Sequence, residues 1–296
     1  MRILITGGGG YLGTVLVRDL LARTADQLTI LDRFSWGAQP LLSVIPQEEA
    51  HRVQLLSGDI RDPERVATAV ADCFVIIHLA GIVGYPACDA DPHDADTTNV
   101  RGTQILCATG RPVLFASTGS TYGKVAGEAD EQTPINPLTR YGRNKAMAEQ
   151  IVGEAGGMIL RLATLYGLSP RMRWDLLPHD FARRAVQEGT IAVYEGWVRR
   201  TFLHVEDAAR AFAHLLHHEN TGVWNIGHAS QNHTKQAIAG MVREATGCAL
   251  TAVEGQDPDQ RDYAVNYAKI GQTAWQPRWT LPETLPAIVQ AARIWR

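Results

Sequence analysis

Tyr141 and Lys145 stand one helical turn apart in the run Tyr141-Gly142-Arg143-Asn144-Lys145, so on a helix both side chains project from one face. A phenol titrates near 10 and is a poor proton acceptor at neutral pH. A neighbouring ammonium favours the phenolate. The pair is therefore suited to take a proton from an alcohol while hydride leaves the same carbon for a redox cofactor. The same spacing also occurs on ordinary exposed helices, so the surrounding chain has to decide. Upstream, Ser117-Thr118-Gly119-Ser120-Thr121-Tyr122-Gly123 follows an apolar run. A hydroxyl at the carboxyl end of a parallel strand lies where ligands bind in doubly wound sheets, and Thr118 is placed to hydrogen-bond the reacting oxygen.

The cofactor signal is at the start of the chain. Gly7, Gly10 and Gly13 have GxxGxxG spacing in Thr6-Gly7-Gly8-Gly9-Gly10-Tyr11-Leu12-Gly13. The glycines allow a tight turn, close approach of backbone to a pyrophosphate, and packing of helix on strand. The helix that opens here offers free N–H groups and a positive dipole end to phosphates. Asp32 closes the second apolar run, near the offset expected of an acid that holds ribose hydroxyls. Its charge repels a 2′-phosphate and favours NAD over NADP; Arg33 beside it weakens that preference. Asp59, in Ser57-Gly58-Asp59-Ile60-Arg61-Asp62, is expected at the adenine edge, although a helix-capping role is open to it.

These residues need a scaffold, and the pattern supplies one. Apolar, β-branched runs at 2–6, 27–32, 52–58, 73–81, 111–117 and 158–164 alternate with helical periodicity at 10–23, 63–71, 95–109 and 140–155. Near-continuous apolar strands separated by helices predict an α/β, doubly wound parallel sheet of Rossmann type. After Thr164 the pattern changes, with a charged, Pro-containing segment, a helix over 178–188, a strand over 191–195, a helix over 205–218 and a strand over 222–228. We expect a cofactor domain of residues 1–165 plus 199–227, and a smaller C-terminal substrate-binding lobe of 166–198 plus 228–296.

Composition narrows the class. The formal net charge of −3 gives no reason to expect nucleic acid or an anionic membrane as partner. No apolar run approaches the roughly 20 residues needed to span a bilayer. The chain opens as a strand running into a turn, from which a cytoplasmic protein without a leader is expected. Cys73, Cys88, Cys107 and Cys248 match neither a disulfide framework nor a zinc pattern, and no metal site is predicted.

Taken together, TGGGGYLG, Asp32, GDIRD, HLAG (78–81), NVRGT (99–103), STGSTYG (117–123), YGRNK (141–145), LRLATLYG (160–167) and RRTFLHVED (199–207) occur in a recognisable order. Over essentially its whole length the sequence resembles the extended short-chain dehydrogenase/reductases, the NAD-dependent nucleotide-sugar epimerase/dehydratase family. The resemblance implies a catalytic set of Thr118, Tyr141 and Lys145, with NAD along Gly7, Gly10, Tyr11, Leu12, Gly13, Asp32, Arg33, Asp59, Ile60, Leu79, Ala80, Gly81, Asn99 and Ser117. It implies that Arg200 holds the phosphates of a sugar nucleotide, a task suited to a bidentate guanidinium. Arg171, Arg173 and Asp175 match a substrate-lobe stretch of one subgroup; Arg261 is a weaker candidate of the same kind. A homodimer through the helices at 95–109 and 140–155, pairing as a four-helix bundle, is implied by the resemblance alone.

The family's reactions diverge after oxidation at carbon 4 of the sugar. Its 4,6-dehydratases carry an Asp-Glu pair directly after the catalytic Thr, and its decarboxylases a Glu two positions after it. Here Gly119 and Ser120 offer no acid or base. A 3,5-epimerase would need a Cys/His pair, for which only Cys88 and His179 are candidates. The expectation is a 4-epimerase. Thr164 stands where relatives carry an Asn that meets the diphosphate, which keeps a 4-dehydrogenase or 4-ketoreductase open as the alternative. A non-catalytic NAD-sensing protein of the same fold is the remote one, since such relatives usually lose the Tyr/Lys pair.

Overall fold

Runs of Ile, Leu and Val that are apolar on both faces must be covered on both faces, and seven of them line up in one parallel sheet. The computed structural model describes residues 1–218, 221–255 and 262–295, so the candidate Arg261 lies outside the described residues. The strands are β1 (Arg2–Thr6), β2 (Gln27–Asp32), β3 (Val53–Ser57), β4 (Val75–His78), β5 (Val113–Thr118), β6 (Met158–Leu162) and β7 (Gly222–Ile226). Their spatial order is β7-β6-β5-β4-β1-β2-β3. The chain winds outward from β1 in one direction, then restarts at β4 in the other. A crevice forms where that reversal leaves the carboxyl ends of β1 and β4 side by side. The doubly wound α/β fold read from the sequence is borne out.

Alternation along β1 shows how the sheet is covered. Ile3 and Ile5 join the core on one face, with Val15, Leu16 and Leu20 of helix Tyr11–Arg23 and Ala208 and Phe212 of helix Val205–Leu215. Leu4 joins the other core, with Val66 and Val70, Leu106, and Ala148 and Val152 of helix Arg140–Glu154. A third core gathers Tyr166, Phe181, Ile191, Phe202, Ile238 and Ile288 beyond the sheet.

Three local departures from the sequence expectation position the site. The helix expected over 95–109 is broken into Pro92–Asp96, a π-helical turn Thr97–Arg101, and Gly102–Cys107. Such single π turns often accompany functional sites, and this one carries Asn99. The strand expected over 158–164 ends at Leu162. Thr164–Tyr166 leaves the main sheet and pairs in parallel with Phe202–His204. Of the stretch 199–227, Gly222–Ile226 pairs with β6, while Arg199–Thr201 pairs with Asn232–Thr234. No helix among the described residues is long and apolar enough to cross a membrane, and all four cysteines are free thiols.

Candidate active site

A cleft of about 800 Å³ runs along the carboxyl ends of the main-sheet strands. Its floor is the glycine loop. Gly7 has φ +75°, and a β-carbon there would lie 2.6 Å from the backbone nitrogen of Ala80. A β-carbon on Gly13 would lie 2.4 Å from the carbonyl oxygen of Gly7. Neither position accepts a side chain. Gly10 caps the helix Tyr11–Arg23 with no side-chain hydrogen bond, leaving the helix N-terminus open to an anion. The floor thus fits a dinucleotide pyrophosphate.

At one end of the cleft Asp32 joins two loops. Its carboxylate accepts the Gly9 N–H at 2.9 Å and the Phe34 N–H at 2.7 Å, which leaves lone pairs for ribose hydroxyls. Arg33 points to acids: its guanidinium lies 3.8 Å from Asp59 and 3.5 Å from Asp94. Asp59 is also held by Arg61 through a 2.6 Å ion pair, and those hydrogen bonds hold its carboxyl below the usual range. With two carboxylates around it, Arg33 is poorly placed to hold a 2′-phosphate. Ile60 is buried, with its side chain against Gly102.

The wall after β4 is positioned from behind. Thr103 Oγ1 donates to the Asn99 carbonyl at 2.7 Å. His78 Nε2 therefore donates to Thr103 Oγ1 at 3.0 Å, and Nδ1 accepts from Thr6 Oγ1 at 2.8 Å. Burial holds His78 neutral, with its pKa pulled down to about 3. Asn99 is itself buried and uses its amide on one residue, donating to Ile82 O at 2.9 Å and accepting from Ile82 N at 2.8 Å. The structure thus places Asn99 behind the turn formed by Leu79, Ala80 and Gly81, with those three residues on the cleft surface.

Thr118, Tyr141 and Lys145 all line the cleft. Tyr141 and Lys145 occupy successive turns of helix Arg140–Glu154, which Thr139 caps by accepting the Gly142 N–H at 3.1 Å. Lys145 is buried, donates to Ala116 O at 2.7 Å and lies 4.4 Å from the Phe115 ring centroid. Burial brings its pKa down to about 8. Thr118 Oγ1 accepts the Ser120 N–H at 3.2 Å and lies 3.0 Å from Ser120 Oγ. When Ser120 donates, the Thr118 hydrogen is left for a substrate oxygen. Ser117 hydrogen-bonds Glu149, which forms a buried ion pair with Arg161 at 2.7 Å. This pair, unnoticed in the sequence, fixes the base of the site.

The opposite wall is a strap from Gly167 to Asp175. Tyr11 donates to Gly167 O at 2.7 Å, and Ser169 Oγ donates to Tyr11 O at 2.7 Å, pinning the strap to the glycine-loop helix. His179 Nε2 accepts the Gly167 N–H at 3.0 Å, so Nδ1 carries the proton and donates to Arg173 O at 2.7 Å. His179 is fully buried and neutral, its pKa lowered to about 4 by burial. Cys88 is equally buried, bonded to Ile82 O at 3.3 Å, and burial pushes its thiol up to about 11. Neither Cys88 nor His179, the Cys/His pair considered from the sequence, lines the cleft.

Arg171, Arg173 and Asp175 all line the cleft, as do Thr164 and Arg200. Arg173 pairs with Asp175, and the Arg171 guanidinium lies 4.2 Å from the Trp36 ring centroid. Arg200 is buried and donates to Arg199 O at 3.0 Å. Trp36, Tyr194 and Lys235 were missed in the sequence, although an aromatic three residues after Arg33 and a Lys opening a helix were visible signals. Lys235 lies 4.5 Å from the Tyr194 ring centroid, and both line the cleft beside Arg200. Among the described residues, no group of His, Cys, Asp and Glu is arranged to hold a metal.

Comparison with known proteins agrees with this geometry. The chain is 30% identical to the low-salt glycan biosynthesis protein Agl12 of Haloferax volcanii, over 98% of this chain and 97% of that protein. It is similar to the UDP-glucose 4-epimerase of Thermus thermophilus in complex with NAD, at 26% identity and a TM-score of 0.86 over 99% of each chain. It is similar to the dTDP-glucose 4,6-dehydratase DesIV of Streptomyces venezuelae with NAD bound, at 26% identity and a TM-score of 0.87, over 99% of this chain and 97% of that one. Residues 3–227 match the family model described as the NAD dependent epimerase/dehydratase family, and the chain belongs to that NAD-dependent enzyme family.

Proposed function

We propose that the protein is a nucleotide-sugar 4-epimerase that oxidises carbon 4, lets the ketone present its other face, and reduces it again. The observation that carries this reading is the setting of Thr118, Tyr141 and Lys145, followed by Gly119 and Ser120. The set can oxidise and reduce an alcohol, while the next two positions hold no acid or base for elimination or decarboxylation. Relatives of this chain are named as epimerase, dehydratase and decarboxylase, and Gly119 and Ser120 are what favour the first of these for this chain.

Bound NAD supplies the hydride acceptor and donor. Tyr141 takes the proton from the carbon 4 hydroxyl and returns it after the ketone has turned. Lys145, charged at neutral pH and held by Ala116 O, favours the Tyr141 phenolate. Thr118 hydrogen-bonds the reacting oxygen and holds it toward Tyr141. Arg200 and Lys235 hold the diphosphate of the substrate, with Tyr194 packed under the Lys235 ammonium. Thr164, at the start of its strand in the cleft wall, supports the diphosphate with a hydroxyl. The Thr164 departure also favours the second reading, a 4-dehydrogenase or 4-ketoreductase that completes half the cycle.

A homodimer belongs to the same proposal; Met147, on helix Arg140–Glu154, is 52% exposed, as a residue in a helical interface of separate subunits would be. A cytoplasmic location is proposed with it. Product analysis tests the reaction. Purified protein incubated with UDP- and dTDP-hexoses should yield the 4-epimer with no net NADH. Stoichiometric NADH would transfer support to the dehydrogenase, and recovery of every nucleotide sugar unaltered, with no NADH formed, would remove the enzyme reading.

A further inference from the structure

The strap along the cleft has two halves with different anchors. Gly167 and Ser169 are tied to Tyr11 by hydrogen bonds. The second half, which brings Arg173 and Asp175 to the cleft, is held from behind. His179 donates to Arg173 O at 2.7 Å. Trp174, between the two cleft residues, turns its ring to His179, the rings meeting edge-on at a centroid separation of 6.1 Å. Its indole Nε1 is buried and has no hydrogen-bond partner among the described residues, so ring contacts rather than a polar bond fix this side chain. Arg173 and Asp175 are paired with each other on either side of it. A shift of Trp174 therefore moves both at once.

A second ring reaches Trp174 from more than a hundred residues along the chain. Trp295 follows helix Leu281–Ile294, and its ring lies 5.8 Å from that of Trp174, centroid to centroid, at 42°. Packing and a hydrogen bond bring it there. Leu285, Ile288 and Val289 of its helix share a core with Phe181, Ala182 and Ala185 of helix Leu177–Glu188. The end of one helix is thus carried alongside the helix that continues the strap. Gln187 of that second helix donates to Trp295 O at 3.4 Å. Trp295 is 55% exposed and does not line the cleft. Aromatic pairs stabilise beyond the area they bury, and a contact made with one residue of a strap acts on the opening of that strap more than on the whole fold.

We infer that Trp295 is a positioning residue: by backing Trp174 it keeps Arg173 and Asp175 at the cleft wall, and through them it sets substrate affinity from outside the cleft. The effect on substrate rests on the nucleotide-sugar reading above; the hold on the strap does not. The test compares the NAD-loaded full chain with Trp295→Ala and Trp295→Phe. Hydrogen exchange read by mass spectrometry should show the peptide over 171–177 exchanging about fivefold faster in Trp295→Ala. The peptide over 141–154 should be unchanged, and Trp295→Phe, which keeps an aromatic ring, should stay close to the parent. Kinetics use whichever of UDP-glucose, UDP-galactose and dTDP-glucose turns over fastest. In Trp295→Ala its KM should rise about fivefold while kcat stays within about twofold, since Thr118, Tyr141 and Lys145 stand on other elements. Equal exchange over 171–177 in parent and Trp295→Ala overturns the inference. So does faster exchange in both peptides, which would make Trp295 a residue of general stability, and so does a loosened strap with KM unmoved. A parent inert toward all three sugars overturns the nucleotide-sugar reading, and the exchange comparison still decides the hold on the strap.

Discussion

The Arg171 guanidinium stacks on the Trp36 ring at 4.2 Å, joining the loop after Asp32 to the Gly167–Asp175 strap across the mouth of the cofactor cleft. A cation–π contact at a partly exposed site is worth about 1 kcal/mol, so Trp36→Ala should speed NAD release roughly fivefold. Stopped-flow displacement of NADH, followed by its fluorescence, measures this directly. An unchanged release rate would mean that the contact does not restrain the cleft.

The chemistry rests on Tyr141, and Tyr141→Phe removes the group that moves the proton while keeping the ring. Turnover should fall by about a thousandfold while NAD remains bound at the glycine loop. The proportion of protein carrying NAD after gel filtration, measured beside the rate, separates this outcome from loss of the cofactor site. A rate within a few-fold of the parent would remove Tyr141 from the role of base.

Much of this site was legible because its signals are local. Gly7, Gly10 and Gly13 form one short motif in which Gly13 packs on Gly7, Asp32 ends its own strand, and Tyr141 and Lys145 share one helix. The residues that stayed hidden act through partners far along the chain. Trp36 acquires a role only when Arg171 arrives from the strap. Glu149 and Arg161 look like surface charges until helix Arg140–Glu154 packs on β6. Asn99 reads as a cofactor residue in its motif, yet the π turn around it directs its amide to Ile82. The strand 158–164 read as one piece because periodicity does not reveal that its last residues pair with Phe202–His204 in another sheet.

Gly119 explains why acids grafted after Thr118 should not convert the enzyme. A β-carbon there would lie 2.9 Å from the Tyr263 hydroxyl and 3.2 Å from its ring. Gly119→Ala should therefore cost about 1–3 kcal/mol of stability through overpacking. Adding Tyr263→Phe removes the closest atom and should return part of that loss. Denaturant unfolding of the two single variants and the double variant checks the coupling. Simple additivity would show that the contact is relieved elsewhere.

Lys145 gives a pH dependence with a defined sign. Its pKa is about 8 in the folded protein, lowered by burial from 10.5, so the folded state penalises the charged form. Below pH 8 the penalty is present in full; it is relieved as pH rises from 8 to 10.5, where the unfolded chain still binds the proton. Relative to Lys145→Met, the parent should gain about 3 kcal/mol across that window. Paired urea titrations at pH 7 and pH 10.5 would show a constant difference if the ammonium carried no such penalty.

Acid should act on the buried histidines. His78 is held neutral with a pKa of about 3, and His179 and His204 with values of about 4, in each case chiefly by burial. An unfolded histidine titrates near 6.5, so as pH falls below that value the unfolded chain takes up protons that the folded chain refuses. Stability should then decline by about 1.4 kcal/mol per pH unit for each of the three, down to pH 4. His179 also holds the strap through Gly167 N and Arg173 O, so its share of the loss should open the cleft. In His179→Asn the slope of unfolding free energy between pH 6 and pH 5 should be shallower by about 1.4 kcal/mol per unit, with NAD released faster at pH 7. An equal slope in parent and variant would place the acid sensitivity elsewhere in the fold.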